Sequence, residues 1–168
     1  MKRNSNKSAA WIALAGLVAA AYTVLSLISG SLGLASGAIQ VRLSEALCVL
    51  PYFSFAAVPG LAVGCFLSNL LMGCAPWDIV FGTLATLIGA IGTGLMRKTK
   101  KSGIAWIPPV VSNVLIIPPV LVWVYGVETA YPLLLLSVAA GEVIACGLLG
   151  RLVMQAARRL EHKSFLLP

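Results

Sequence analysis

The stretch WDIVFGTLATLIGAIGTGLMRKTKK, Trp77 to Lys101, decides what kind of molecule this is. From Ile79 to Met96 it carries no charged side chain, and about 20 apolar residues suffice for a helix to cross hydrocarbon. A single carboxylate, Asp78, stands at one end. Four basic residues, Arg97, Lys98, Lys100 and Lys101, stand at the other. The segment therefore reads as a membrane span whose basic end faces the cytoplasm.

The same pattern extends in both directions. Span one is expected from Ala9 to about Ser29, after Lys2, Arg3 and Lys7, and is longer than the apolar core of a signal peptide. A loop from Gly30 to Ala38 leads to span two, Val41 to Ala57, and a turn at Val58-Pro59-Gly60. Span three runs from Gly60 to Met72, and Gly73 to Pro76 makes the next turn into span four, Trp77 to Met96. Span five is Ile104 to Tyr125, broken by Pro108-Pro109 and Pro118-Pro119. Span six is Tyr131 to Met154 and continues as a basic helix to Glu161. The expected fold is an all-α membrane protein, a bundle of six transmembrane helices in one domain covering residues 1–168.

Composition agrees. The 168 residues are 60% hydrophobic and 10% charged, against roughly 25% charged in soluble domains. The net charge of +7 does not point to nucleic acid, because the bases lie between apolar runs rather than on one soluble face. Six spans place Lys2, Arg3, Lys7, Arg97, Lys98, Lys100, Lys101, Arg151, Arg158, Arg159 and Lys163 on one side. Of the 12 bases only Arg42 is left for the other, so both termini are expected in the cytoplasm of a multi-pass protein of the cell membrane. Cys48, Cys65, Cys74 and Cys146 form no C-x-x-C pair. They read as small buried hydrophobes, with no metal or disulfide framework.

Ionisable groups inside a membrane are costly and mark sites. Glu161 and Glu128 fall in the tail and a loop, which leaves Glu45, Asp78 and Glu142. Glu142 lies about 16 Å into span six at 1.5 Å per residue, and its neighbours in sequence offer no opposite charge. Asn113 on span five falls at a similar depth, so the two suit a polar pocket floor. The competing reading is an interhelical hydrogen bond that only aids packing. Glu45 lies in Gln40-Val41-Arg42-Leu43-Ser44-Glu45. Arg42 and Glu45 are spaced to pair locally, with Ser44 as a backbone cap, or to form a pocket rim with Gln40. Asp78 complements the dipole of its own helix or joins the site, and Asn69 can meet it across the turn. The polar groups thus fall into an outer and a mid-depth layer, which suggests a site open outward rather than a continuous pore.

Small-residue stripes mark close helix approaches. They are Ala9, Ala13, Gly16 and Ala20 on span one, Gly60 and Gly64 on span three, and Gly82, Ala85, Gly89 and Gly92 on span four. Span one's stripe is the candidate dock for a partner protein. Catalytic motifs are missing: no P-loop, no H-E-x-x-H and no nucleophile elbow, and the single histidine, His162, lies in the tail. The chain does not read as an enzyme, and no cofactor is expected in it. Uphill transport would draw on an ion gradient or on partner subunits.

Gln40 to Leu47 (QVRLSEAL), Leu50-Pro51, Pro59-Gly60-Leu61, Gly64-Cys65, Asn69 and Asp78 to Leu87 (DIVFGTLATL) resemble the queuosine-precursor transporter family, QueT. These are substrate-binding S components of energy-coupling factor transporters. The resemblance implies six helices, substrate taken from outside, and a complex with a transmembrane T subunit and two ATPases that hydrolyse ATP. It also implies an alanine-rich first-helix face that docks the T subunit, for which Ala9 and Ala13, or Ala15 and Ala19, have the spacing. The implied substrates are 7-deazapurines such as queuine, preQ1 or preQ0. Their donor edge suits a carboxylate and their carbonyl an amide. Trp77, Trp106, Trp123, Tyr52 and Tyr125 are candidates to stack on the base, though aromatics at membrane boundaries usually anchor the interface. Three other readings remain open at this stage: an S component for another vitamin or nucleobase, a stand-alone proton-coupled carrier, and a ligand-free assembly subunit.

Overall fold

The computed structural model describes residues 2–34, 40–99 and 102–161. Residues 35–39 of the loop before Gln40, and the basic residues Lys100, Lys101 and Lys163 with His162, lie outside the described residues. Six α-helices follow one another: α1 (Lys2–Ser31), α2 (Ala57–Leu71), α3 (Pro76–Met96), α4 (Ile107–Trp123), α5 (Tyr131–Glu142) and α6 (Gly150–Glu161). A 3-10 helix, Leu43–Tyr52, precedes α2, and a π-helical segment, Val143–Leu149, joins α5 to α6 in one continuous rod. Among the described residues there is no strand.

Among the described residues, four segments are long and apolar enough to cross a membrane: Lys7–Ser31, Pro76–Thr99, Ser102–Trp123 and Tyr131–Leu160. The chain is a multi-pass membrane protein. The expected spans two and three are shorter apolar helices. Ten residues of 3-10 helix cover only about 20 Å, and the fifteen of α2 about 23 Å. Pro108-Pro109 do not break span five as expected. They occupy the first turn of α4, where a missing N–H costs nothing. Pro118 and Pro119 do lie inside that helix.

The short pieces explain the route of the chain. The 3-10 helix starts beside the end of α1, where Leu43 N–H donates to Ser29 Oγ at 2.9 Å and Ser26 Oγ to Ser44 Oγ at 2.8 Å. It finishes against Ala105 and Met154, around Val49 and Phe53, at the opposite end of the bundle. After Phe53 the chain turns back, so α2 runs parallel to α1. Gly60 meets Ala15 and Val18, and Gly64 meets Ala19 and Tyr22. This is the expected G-x-x-x-G approach. Along α3, Gly82 abuts Asn69, while Gly89 and Gly92 abut Pro109 and Pro108 of α4. The inner core gathers Val18, Tyr22, Cys48, Leu61, Cys65 and Cys146.

A Cβ at position 64 would stand 2.7 Å from Tyr22 Cβ and 2.8 Å from the Ala19 carbonyl oxygen. Gly64→Ala is expected to cost about 1–3 kcal/mol through overpacking. Gly16→Ala, whose added methyl meets nothing within 4 Å, should leave the melting temperature unchanged or slightly raised. Thermal unfolding of both variants in detergent checks the pair.

Candidate functional site

A cavity of about 250 Å³ opens among the 3-10 helix, α3, α4 and α5. Its polar lining comprises Gln40, Arg42, Glu45, Cys74, Asp78, Thr86, Asn113 and Glu142, and its apolar lining Gly82, Ile117, Leu121 and Val138. The structure thus brings Gln40, Arg42, Glu45, Asp78, Asn113 and Glu142 to one space, although more than a hundred residues of sequence separate the first from the last. Asn69 stands behind that lining rather than in it. It is fully buried, accepts from Arg42 Nη1 through Oδ1 at 3.5 Å, and donates through Nδ2 to the Asp78 carbonyl at 3.4 Å. The meeting of Asn69 and Asp78 across the turn is therefore present, through the backbone of Asp78.

The floor is built around Glu45, which is 2% exposed. The Tyr22 hydroxyl of α1 donates to Oε1, and the Cys48 thiol donates to Oε2 at 3.0 Å. Cys146 of the π segment reaches the Glu45 carbonyl at 3.2 Å and Glu142 Oε2 at 3.4 Å. The oxygens of Glu45 and Glu142 and the Cys146 sulfur lie within 4.8 Å of one another. Asn113 faces Glu142 as well and donates to the Pro109 carbonyl at 3.2 Å.

Two expectations change here. Arg42 does not close a local pair with Glu45; its hydrogen bond goes to Asn69, and Ser44 receives one from Ser26 instead of capping backbone. Arg42 precedes the 3-10 helix in extended backbone, so its side chain is not stacked over Glu45 by the helix repeat, and Glu45 takes buried donors from Tyr22 and Cys48 instead. The cysteines are buried as expected, apart from half-exposed Cys74, but they are more than small hydrophobes. Cys48 and Cys146 donate to carboxylates, and Cys65 accepts from Thr86 at 3.4 Å.

The local backbone explains the convergence. Gly141 precedes Glu142 on α5, and a Cβ there would stand 2.0 Å from the Gln40 carbonyl oxygen. The missing side chain lets the extended segment before the 3-10 helix lie against α5, which sets Gln40 beside Glu142. The π segment starts at the next residue, and such widened turns recur at functional sites. Asp78 sits in the first turn of α3, where the helix dipole favours a carboxylate. Tyr125 lies beside it at the far end of α4. Desolvation, and then the neighbouring negative charge, raise the phenol above its ordinary pKa.

No candidate stacking aromatic lines the cavity. Trp77 is exposed and stacked on Phe81, Trp123 is 82% exposed, Trp106 and Tyr52 pack in the core, and Tyr125 stands outside the lining. The flat walls are the aliphatic Ile117, Leu121 and Val138. Sequence reading missed these, together with Tyr22, Thr86 and Cys74. A tyrosine in the middle of an apolar span, needing a partner for its hydroxyl, was the available signal for Tyr22. On the outside of α1, Ala9, Ala13, Gly16 and Ala20 are all exposed, whereas Ala15 and Ala19 turn inward onto α2.

A multi-pass helical fold with a polar cavity between its helices defines a membrane protein built to hold a polar molecule there. The chain belongs to the QueT transporter family, whose model matches residues 12–159. A relative, the queuosine precursor transporter QueT of Lactococcus lactis subsp. cremoris (strain MG1363), is 34% identical over 73 residues. That match covers 43% of this chain and 42% of the relative's length. No solved structure matches the fold.

Cys74 is the one cysteine of the four that is not buried. Brief treatment of the folded chain with a small maleimide is expected to label this thiol within minutes, and all four only after denaturation. Intact-mass measurement counts the adducts. Rapid labelling of a second thiol would contradict the packing around Glu45.

Proposed function

We propose that this chain is the substrate-binding membrane subunit for uptake of a queuosine precursor, a 7-deazapurine such as queuine, preQ1 or preQ0. In this reading it works as the S component of an energy-coupling factor transporter. The observation that carries it is the cavity, which collects Gln40, Arg42, Glu45, Asp78, Asn113 and Glu142, so that three carboxyl groups, two amides and one guanidinium meet beside aliphatic walls. A guanine-like edge presents adjacent N–H donors to a carboxylate and a carbonyl to an amide. Aliphatic walls on either side hold a flat ring without an aromatic stack. The family match and the name of the relative point to the same substrate class.

The remaining parts of the proposal concern topology and the partners that the family resemblance implies. The 3-10 helix and α2 complete six passes, in a single domain, with both termini and the α3–α4 loop in the cytoplasm of the cell membrane. The cavity mouth at Asp78 then faces outward. Arg97 and Lys98, and Arg151, Arg158 and Arg159 of α6, are exposed at the inner end, where the positive-inside rule places them. Arg158 donates to Ser102 there. Ala9, Ala13, Gly16 and Ala20 form the face offered to a T subunit, and two ATPases supply the energy. A side-chain-poor helix face permits close backbone approach in lipid.

Thermal stabilisation of the purified chain tests the substrate. Saturation to a hundred times Kd adds about 2.7 kcal/mol, so a deazapurine is expected to raise the melting temperature while riboflavin does not. It should also shield Cys74 from maleimide. Asn113→Ala is expected to weaken binding by about tenfold, since a lost hydrogen bond to a buried polar ligand costs about 1–3 kcal/mol. No shift with any deazapurine, from folded protein, would overturn the substrate. Uptake by the chain alone in proteoliposomes would replace the S-component reading with a proton-coupled carrier.

A further inference from the structure

We infer that the cavity selects a ligand carrying one positive charge, whose ammonium group sits between Glu45 and Glu142. The inference rests on the cavity being the deazapurine site and goes beyond it by assigning selection to charge.

The lining holds three carboxyl groups, Glu45, Asp78 and Glu142, and one guanidinium, Arg42. They are not equivalent. Asp78 lies at the start of α3, where the helix end supplies compensating positive potential. Arg42 is drawn toward Asn69, on the side of the cavity nearer α2. Glu45 and Glu142 form the floor, with oxygens within 4.8 Å of each other. The groups that hydrogen-bond to them are neutral donors: Tyr22 from α1, Cys48 from the 3-10 helix, Asn113 from α4 and Cys146 from the π segment; Arg42 acts on both only through space and donates to Asn69 instead.

Two carboxyl groups at that separation, away from water, repel when both are ionised, and a cation between them relieves the repulsion. An ammonium group brings three donors and no acceptor. Both carboxylates can therefore take charge-assisted bonds from it without disturbing the Tyr22 and Cys48 bonds. The purine ring would then lie between Ile117, Leu121 and Val138, its edge reaching Gln40, Thr86 or Asp78. Among 7-deazaguanines this favours those with an amine on the 7-methylene and disfavours the nitrile, which brings no charge and no donor.

The test is calorimetric titration of the purified 168-residue chain in detergent with three matched compounds. They are 7-aminomethyl-7-deazaguanine, its neutral 7-hydroxymethyl isostere and the 7-cyano compound. The aminomethyl compound is expected to bind at least about tenfold tighter than either neutral one, the scale of a buried charge-assisted bond. Glu142→Gln is expected to erase that preference, weakening the aminomethyl compound at least about tenfold more than the hydroxymethyl one. Near-equal binding of the three compounds by the wild-type chain would overturn the charge selection and leave the substrate class standing. Binding of none of them would overturn both. A preference that survives Glu142→Gln would remove the ammonium from its seat. The wild-type comparison needs no variant, so the charge selection stays testable if a substitution at Glu45 prevents folding.

Discussion

A buried carboxylate must be met by donors, and the arrangement of this protein follows from meeting Glu45. An acid in a hydrocarbon environment costs several kcal/mol unless its oxygens are satisfied. Here one oxygen is served by Tyr22 from α1 and the other by Cys48 from the same 3-10 helix, while Cys146 takes the backbone carbonyl. Three segments far apart in sequence are thereby held at one level. The Ser26–Ser44 bond and the Leu43 amide on Ser29 continue that seam toward the cavity mouth. The floor is therefore a structural joint as well as a polar surface.

Helix α1 divides its work between two faces. Ala15, Val18, Ala19 and Tyr22 meet α2 across Gly60 and Gly64, so the helix reaches the core through small residues and one tyrosine. Its other face, with Ala9, Ala13, Gly16 and Ala20, is exposed among the described residues. A second helix can approach that side without moving the first. Contact with a neighbour and the Tyr22–Glu45 bond can thus coexist on one rigid element.

Much of this was legible in the sequence because lipid imposes a simple code. Long apolar runs with charges between them gave α1, α3, α4 and the α5–α6 rod, and the rarity of buried charge picked out Glu45, Asp78 and Glu142. The code says less about a segment such as Leu43–Tyr52, which is apolar in either helical form. Whether it winds as α or 3-10 depends on what packs round it, and Pro51 alone does not decide. The hydrogen bonds were equally out of reach. Arg42 and Glu45 look like a pair along the chain, and only the positions of Asn69 and Tyr22 show that each has a better partner. Ile117, Leu121 and Val138 differ from lipid-facing neighbours only in orientation, which a uniformly apolar helix does not encode.

The shortness of α2 gives the molecule a perimeter of uneven height. Its Val63, Phe66, Leu67, Leu70 and Leu71 face outward from a helix about 23 Å long. The rods beside it have the length to cross a full bilayer of about 30 Å. On the proposed six-pass topology, lipid against α2 must thin, or the protein must lean toward that side, at a cost of fractions of a kcal/mol per ångström. The thickness of the surrounding membrane thus becomes a mechanical load on the helix that carries Asn69, and through Asn69 on Arg42 and the backbone of Asp78.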